Sequence, residues 1–230
     1  MKTLAIIPMR SGSKGIKDKN VTPFCGQALY EWTIDQALNS SLIQKKNRII
    51  VSTDSDEYRD RVNLRYKDLG LVPFIRPAKL AGDKTASSKV ILHALDQFPD
   101  YDTVMLLEPT APIRCAGDID AALDLFVDRH AKAVISVCDS HRCHPAISFE
   151  LGTKDKRCLL PDTPSPRRQD LRPYYHPTGT IYIADAAWYR EHETFMTADT
   201  LGYVVNEWQD HEIDSPWDVR ICAALMDMVK

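Results

Sequence analysis

Four basic side chains, Arg10, Lys14, Lys17 and Lys19, fall within the twelve residues MRSGSKGIKDKN (9–20), close behind the apolar run Leu4–Ile7. Glycines let a backbone approach a ligand closely. Ser11 and Ser13 add donors, and Arg10, Lys14 and Lys19 can neutralise phosphates. The segment is neither a Walker A loop nor a G-x-G-x-x-G turn. An anion-binding loop and a solvated basic turn both stay open for it. Near the other end, Asp210, Glu212 and Asp214 alternate in DHEIDSPWD (210–218). In an extended segment alternate residues face one side, so these carboxylates could share a divalent cation. An ordinary acidic loop ahead of a helix is the plainer alternative.

Two further segments carry polar groups. RPAKLAGDKTASS (76–88) sets Thr85, Ser87 and Ser88 at an expected helix start, where free N–H groups favour an anion or a simple cap. LLEPTAPIR (106–114) is a loop stiffened by two prolines and flanked by Glu108 and Arg114. Taken together, the four segments offer cations for a triphosphate, carboxylates for Mg²⁺, and polar loops for a base and a co-substrate. That combination suggests nucleotidyl transfer.

Strands and helices must position these loops, and the sequence alternates them. Strands are expected over 3–7, 48–53, 71–75, 103–107, 133–138 and 180–185, and helices over 29–40, 54–70, 86–98, 116–130 and 214–229. Short apolar strands separated by helices predict a mainly parallel sheet covered on both faces. In such sheets ligands bind beyond the carboxyl ends of the strands, where MRSGSKGIKDKN sits. Ser215, Pro216 and Asp218 fit the N-cap, first turn and positive dipole end of the last helix. The rhythm breaks over 139–178, rich in Pro, Arg, Asp and His. An excursion from a single domain spanning 1–230 is expected there rather than a second domain.

Composition bounds the rest. With 230 residues, 44% of them hydrophobic, the chain can bury a substantial core. A formal net charge of −3 does not suit a nucleic-acid binder. No run reaches the length of a membrane span, and the opening MKTLAIIPMR is too short for a signal peptide. With six cysteines and no C-x-x-C pair, a cytoplasmic protein with reduced thiols is expected. His141, Cys143 and His144 cluster, but at no common zinc spacing.

The same segments resemble the acylneuraminate cytidylyltransferases, the CMP-sialic acid synthetases. AIIPMRSGSKGIKDKN is similar to the family's opening nucleotide signature. IIVSTDSDE, RPAKLAGDKTASS, LLEPTAPIR, RRQDL and TGTIYI resemble its later blocks, in order. The resemblance implies a Rossmann-like α/β fold, with 139–178 contributing to a homodimer and to the partner's site. It implies attack by the anomeric hydroxyl of a nine-carbon 2-keto sugar acid on the α-phosphate of CTP, with Mg²⁺ or another divalent cation. By matching positions, Arg10 and Lys14 would hold phosphates and, with Asp214, serve catalysis. Ser13 and Gly15 would shape the loop, while Lys19 and Asn20 lie near nucleotide. Arg76 and Ser88 would stand beside the cytidine, and Glu212 and Asp214 would bind metal. Glu108, Arg167, Gln169 and Thr178 match the sugar side. Tyr174, Tyr175 and His176 read as packing or interface residues.

Three positions depart from the family's pattern. Glu108 stands where Gln is usual, Thr178 where Asn is usual, and Glu212 where the first Asp of D-x-D is usual. Glu for Gln exchanges an amide donor for an acceptor-only carboxylate. A legionaminic, pseudaminic or Kdo-type acid is therefore an alternative acceptor, and a non-catalytic nucleotide-binding homologue is the alternative of another class.

Overall fold

A computed structural model describes residues 1–44, 46–140, 143–151, 158–159 and 167–227. β1 (Thr3–Pro8) leads through the basic loop to a small hairpin, β2 (Pro23–Phe24) and β3 (Gln27–Ala28), and to α1 (Leu29–Leu38). Then come β4 (Arg48–Ser52), α2 (Asp56–Arg65), α3 (Ser87–Gln97), β5 (Thr103–Leu106), α4 (Asp118–Asp128) and β6 (Ala133–Asp139). A two-stranded pair, β7 (Glu150–Leu151) and β8 (Cys158–Leu159), lies between β6 and β9 (Tyr175–Asp185). α5 (Ala186–His192), β10 (Thr200–Val204) and α6 (Pro216–Met226) complete the order.

Six strands form one sheet in the order β10-β6-β9-β5-β1-β4. β9 runs antiparallel to both neighbours, and the other pairings are parallel. Period-2 alternation sends successive β1 residues to opposite faces. Ala5 and Ile7 pack with Tyr30 and Ile34 of α1, Val62 of α2 and Leu123 of α4. Leu4 and Ile6 pack with Ile91 and Leu95 of α3 and Tyr189 of α5. Both faces are covered, as the apolar strands predict. A third cluster seats α6 on the hairpin through Phe24, Leu29, Ile213 and Cys222. Among the described residues, no helix is long and apolar enough to cross a membrane.

Caps fix where the helices begin. Ser55 Oγ accepts from the Tyr58 N–H at 3.3 Å at the head of α2. At α6, Ser215 Oγ accepts from the Asp218 N–H at 3.4 Å, and Asp218 Oδ2 accepts from the Ser215 N–H at 2.7 Å. Pro216 is the first helical residue, the arrangement expected from sequence.

Three features differ from the sequence reading. Residues 71–75 form no strand; Ile75 makes a single parallel bridge to Thr53. Pro73 has no N–H to donate, so only Leu71 O and the Arg76 N–H reach the sheet edge, bonding Val51 and Thr53 at 2.7 Å. α5 and β10 appear where no element was assigned. Finally, β9 begins at Tyr175, inside the proposed excursion, and β6 extends through Asp139, so the chain leaves the sheet between 140 and 174.

β9 also carries a wide bulge. Ile135 pairs with Tyr182, but Val137 pairs with Pro177, so Thr178–Ile181 stand opposite Ser136 alone. Ser136 Oγ satisfies the bulge, accepting from the Ile181 N–H at 3.0 Å and from Thr178 Oγ1 at 2.7 Å.

Candidate active site

A cavity of about 330 Å³ opens beyond the carboxyl ends of β1 and β5. Arg10, Ser13, Lys14, Gly15, Lys19, Asn20, Arg76, Glu108 and Asp214 line it, so nine sequence-predicted residues converge from four segments. A second cavity, of about 250 Å³, shares Glu108, Ser87, Ile91 and Leu106 with the first. Ser88 faces this second space, with Tyr182, Phe195 and Met196.

The basic loop is held by its own polar groups. Buried Asn20 donates Nδ2–H to the Arg10 carbonyl at 3.1 Å, fixing the backbone from which Arg10 projects. Lys19 Nζ donates to the Ile213 carbonyl at 2.6 Å and to Asp214 Oδ1 at 2.8 Å, joining the loop to the acid segment. Gly15 packs against that segment so closely that a Cβ there would collide with the Asp214 carbonyl. Gly179 repeats the device: the Glu212 carboxylate packs against it so closely that a Cβ would run into that group.

Two acids that sequence reasoning did not single out complete the loop. Ser11 donates to Asp54 from its N–H at 2.9 Å and its hydroxyl at 2.7 Å. Burial alone would raise the Asp54 carboxyl, but the Ser11 bonds outweigh it and hold the group below its usual range. Asp54 lies 3.6 Å from Arg76 Nη2. Asp83 bridges the cations, 3.0 Å from Arg10 Nη1 and in direct contact with Lys14 Nζ. Both acids lie next to residues the sequence flagged, but their pairing is set by tertiary contact alone.

Arg76 is only 3% exposed, yet its Nε and Nη2 make no hydrogen bond among the described residues, Nη2 having only the ion pair with Asp54. Burial depresses its pKa, with Asp54 partly compensating. Leaving buried donors unmatched is costly, and Arg76 bears that cost at the wall of the cavity it lines.

Glu108, Glu212 and Asp214 form an acidic group around Lys19. Burial, and then the charge of Glu212, push Glu108 up to about 7, against the pull of Arg114 and Lys19. Burial and Asp214 raise Glu212 as well. Arg114 is a buried strut: it donates to Thr180 O at 2.7 Å, Glu108 O at 2.8 Å, Gln36 Oε1 at 3.0 Å and Thr33 Oγ1 at 3.1 Å. Burial lowers its pKa to about 10.

The raised Glu108 pKa has a measurable consequence. The folded state holds a proton more tightly than the unfolded one, whose Glu titrates near 4.5. Stability is therefore full below that value and declines as pH rises through about 7. The gap corresponds to at most about 3 kcal/mol, trimmed to about 1–2 kcal/mol because water reaches the cleft side. Glu108→Gln is expected to abolish this decline, making the variant the more stable protein at pH 8. Urea midpoints in EDTA at pH 5 and pH 8 check it; an unchanged decline would place Glu108 outside the cause.

Other predicted residues lie elsewhere. Thr178 is buried, its hydroxyl bonded to Ser136 and to Thr180 at 2.9 Å, so it faces the bulge and not the cavities. Arg167 is exposed and bonds Asp170 at 2.8 Å; neither it nor exposed Gln169 lines either cavity. His141 lies outside the described residues. His144 bonds the Arg172 carbonyl and the Ala146 N–H, both at 3.0 Å.

A divalent cation fits the acidic group in part. Among the described residues, no group of three or more His, Cys, Asp or Glu side chains is arranged to hold a metal alone. Glu212 and Asp214 offer two all-oxygen, mutually repelling carboxylates, a donor set that suits a hard cation completed by substrate phosphates and water.

A mostly parallel sheet with cations and carboxylates gathered at its carboxyl ends is a Rossmann-like arrangement. A solved CMP:2-keto-3-deoxy-manno-octonic acid synthetase, complexed with CTP, superposes with a TM-score of 0.69, covering 99% of both chains at 15% identity. The chain belongs to the cytidylyltransferase family, whose model matches residues 4–124. An N-acylneuraminate cytidylyltransferase of Streptococcus agalactiae serotype III is 33% identical over 88% of this chain and 48% of its own length. A CMP-N,N'-diacetyllegionaminic acid synthase of Legionella pneumophila is 31% identical over 99% of this chain and 97% of its own. The chain thus spans about half the length of the streptococcal relative and nearly all of the Legionella one.

Proposed function

We propose that this protein transfers CMP from CTP to the anomeric hydroxyl of a nonulosonic acid of the sialic acid type. The observation that carries this is one cavity lined by Arg10, Lys14 and Asp214 together, which shares Glu108 with a second. Arg76, in the wall of the first cavity, stands beside the cytidine. Arg10 and Lys14 take the triphosphate, with Ser13 and Gly15 shaping the loop. Glu212 and Asp214 would hold Mg²⁺ or another divalent cation. When bound, the cation neutralises charge on the triphosphate. Lys19 fixes Asp214, and Gly179 fixes Glu212.

The sugar acid occupies the second cavity beside Ser88, Tyr182 and Met196. Its anomeric oxygen forms the new bond to the α-phosphorus while the bond to the bridging oxygen breaks and pyrophosphate leaves. The hydroxyl proton passes to a carboxylate of the acidic group. Alignment and charge neutralisation supply most of the acceleration. The protein acts as a cytoplasmic homodimer of single nucleotidyltransferase domains. The segment leaving the sheet between 140 and 174 meets the partner, where exposed Arg167 and Gln169 engage the carboxylate of the sugar in the partner's site.

A second acceptor is favoured by one observation. Glu108 places a carboxylate at the join of the two cavities, which suits a legionaminic- or pseudaminic-type acid bearing an amino-derived substituent. Pyrophosphate release is the test, with CTP, Mg²⁺ and, in turn, N-acetylneuraminic, legionaminic, pseudaminic and Kdo acids. Release with one nine-carbon acid is expected. CTP binding without release from any of them would leave a nucleotide-binding protein instead.

A further inference from the structure

Ser140 and His176 stand at the two ends of the segment that leaves the sheet between β6 and β9. The Ser140 N–H donates to the Tyr174 carbonyl at 2.7 Å, closing the neck of that segment. Ser140 Oγ lies 2.7 Å from His176 Nδ1, and His176 Nε2 lies 2.6 Å from Asp210 Oδ2. Both ring nitrogens are thus engaged. In the neutral ring, Oγ–H donates to Nδ1 and Nε2–H donates to Asp210. In the protonated ring, Oγ accepts instead. Serine, histidine and aspartate are also the parts of a hydrolytic triad, but Ser140 is buried and lines neither cavity, so no substrate reaches its hydroxyl there.

Asp210 opens the acid segment, two residues before Glu212. That segment is tethered from several sides. The Ile213 N–H donates to the Thr110 carbonyl at 2.7 Å, and Lys19 grips Ile213 O and Asp214. β9 adds two points three residues apart: the His176 bond to Asp210, and the close packing of Gly179 against the Glu212 carboxylate. Pro177, between them, has no N–H to contribute. Of these tethers, the His176 bond is the one made to the head of the segment by a side chain, and it continues through Ser140 into the neck.

We infer that His176 is a positioning residue: with Ser140 it clasps Asp210 and sets the spacing of the Glu212 and Asp214 carboxylates, and so the affinity of the site for a divalent cation. Groups that orient metal ligands from behind commonly control affinity in this way. The neck of the excursion and the metal-binding acids are then one mechanical unit. The inference rests on the reading that Glu212 and Asp214 take a divalent cation.

The test is Mn²⁺ binding to the full chain without nucleotide, followed by the loss of the free-ion electron paramagnetic resonance signal. Asp214→Asn serves as the control. His176→Phe is expected to weaken binding about tenfold. His176→Gln, whose amide can still donate to Asp210, should restore it to within about twofold, a rescue that lost packing alone would not give. Should His176→Phe fail to fold, Ser140→Ala leaves the ring in place but unsteadied, with an expected loss of about threefold. Wild-type binding by a folded His176→Phe, or by Ser140→Ala where it is the variant used, would overturn the inference while leaving the metal reading intact. Equal binding by wild type and Asp214→Asn would overturn the metal reading itself.

Discussion

Arg114→Met lowers the unfolding free energy by about 3–5 kcal/mol, the largest stability change expected from a single substitution near the site. Methionine can fill much of the space, so the loss comes from hydrogen bonding. The guanidinium is 2% exposed and serves four acceptors on three different elements: α1, the loop after β5, and the β9 bulge. Without it, the carbonyls of Thr180 and Glu108 and the oxygens of Thr33 and Gln36 lose a donor in the interior, where unmatched polar groups cost about 1–3 kcal/mol each. Gln36 retains its bond to Pro112 O at 2.8 Å, and Ser136 still holds the bulge from the other side, so part of the penalty is relieved. Lysine should do little better than methionine, since one ammonium cannot span a planar fork. Urea unfolding at pH 7 measures the change, and a loss below about 1 kcal/mol would show that water replaces the guanidinium.

Asp214→Asn is expected to reduce turnover of CTP and sugar acid by about 10²–10³-fold, with little change in the thermal midpoint. The carboxylate is 76% exposed by side-chain area, so folding owes it little. Its loss removes one of two oxygens proposed for the cation and releases the Lys19 ammonium from its charged partner. Lys19 still has the Ile213 carbonyl, so the loop stays joined to the acid segment. Arg10→Ala belongs to the same class, because Arg10 meets only the exposed Asp83 and neighbouring carbonyls. Single-turnover rates of folded Asp214→Asn near those of wild type would remove Asp214 from the chemistry.

The strands and loops that came out of the sequence are those whose signals are local. Leu4–Ile7 announces a strand buried on both faces, and Ser215-Pro216 announces a helix start. The basic loop and the acid alternation could be seen because each cluster is contiguous. What stayed hidden depends on partners far away in the chain. Nothing local tells that β9 inserts antiparallel between β5 and β6, or that Thr178 turns into a bulge toward Ser136. Arg114 looked like a flank of the proline loop and proved to be its internal support. Asp54 and Asp83 matter through partners far along the chain: Ser11 and Arg76 for Asp54, Arg10 and Lys14 for Asp83. Two omissions had usable signals: Asp185, which accepts from the Trp188 N–H at 2.8 Å, caps α5, and TLGYVV alternates as an edge strand should.

The Asp83 bridge changes how anions are sorted. Arg10 and Lys14 do not greet a ligand as bare charges; a tethered carboxylate already sits between them. Capture of a triphosphate is then an exchange, and its free energy is a difference between two sets of contacts. A monovalent ion from the medium offers no more charge than the carboxylate it must evict, and it lacks the advantage of being attached. A polyvalent chain of phosphates offers more at every step. With the triphosphate proposed above as its ligand, the loop would act as a valence filter, muting chloride and other simple salts while staying open to an anion whose charge is dense enough to take both cations at once.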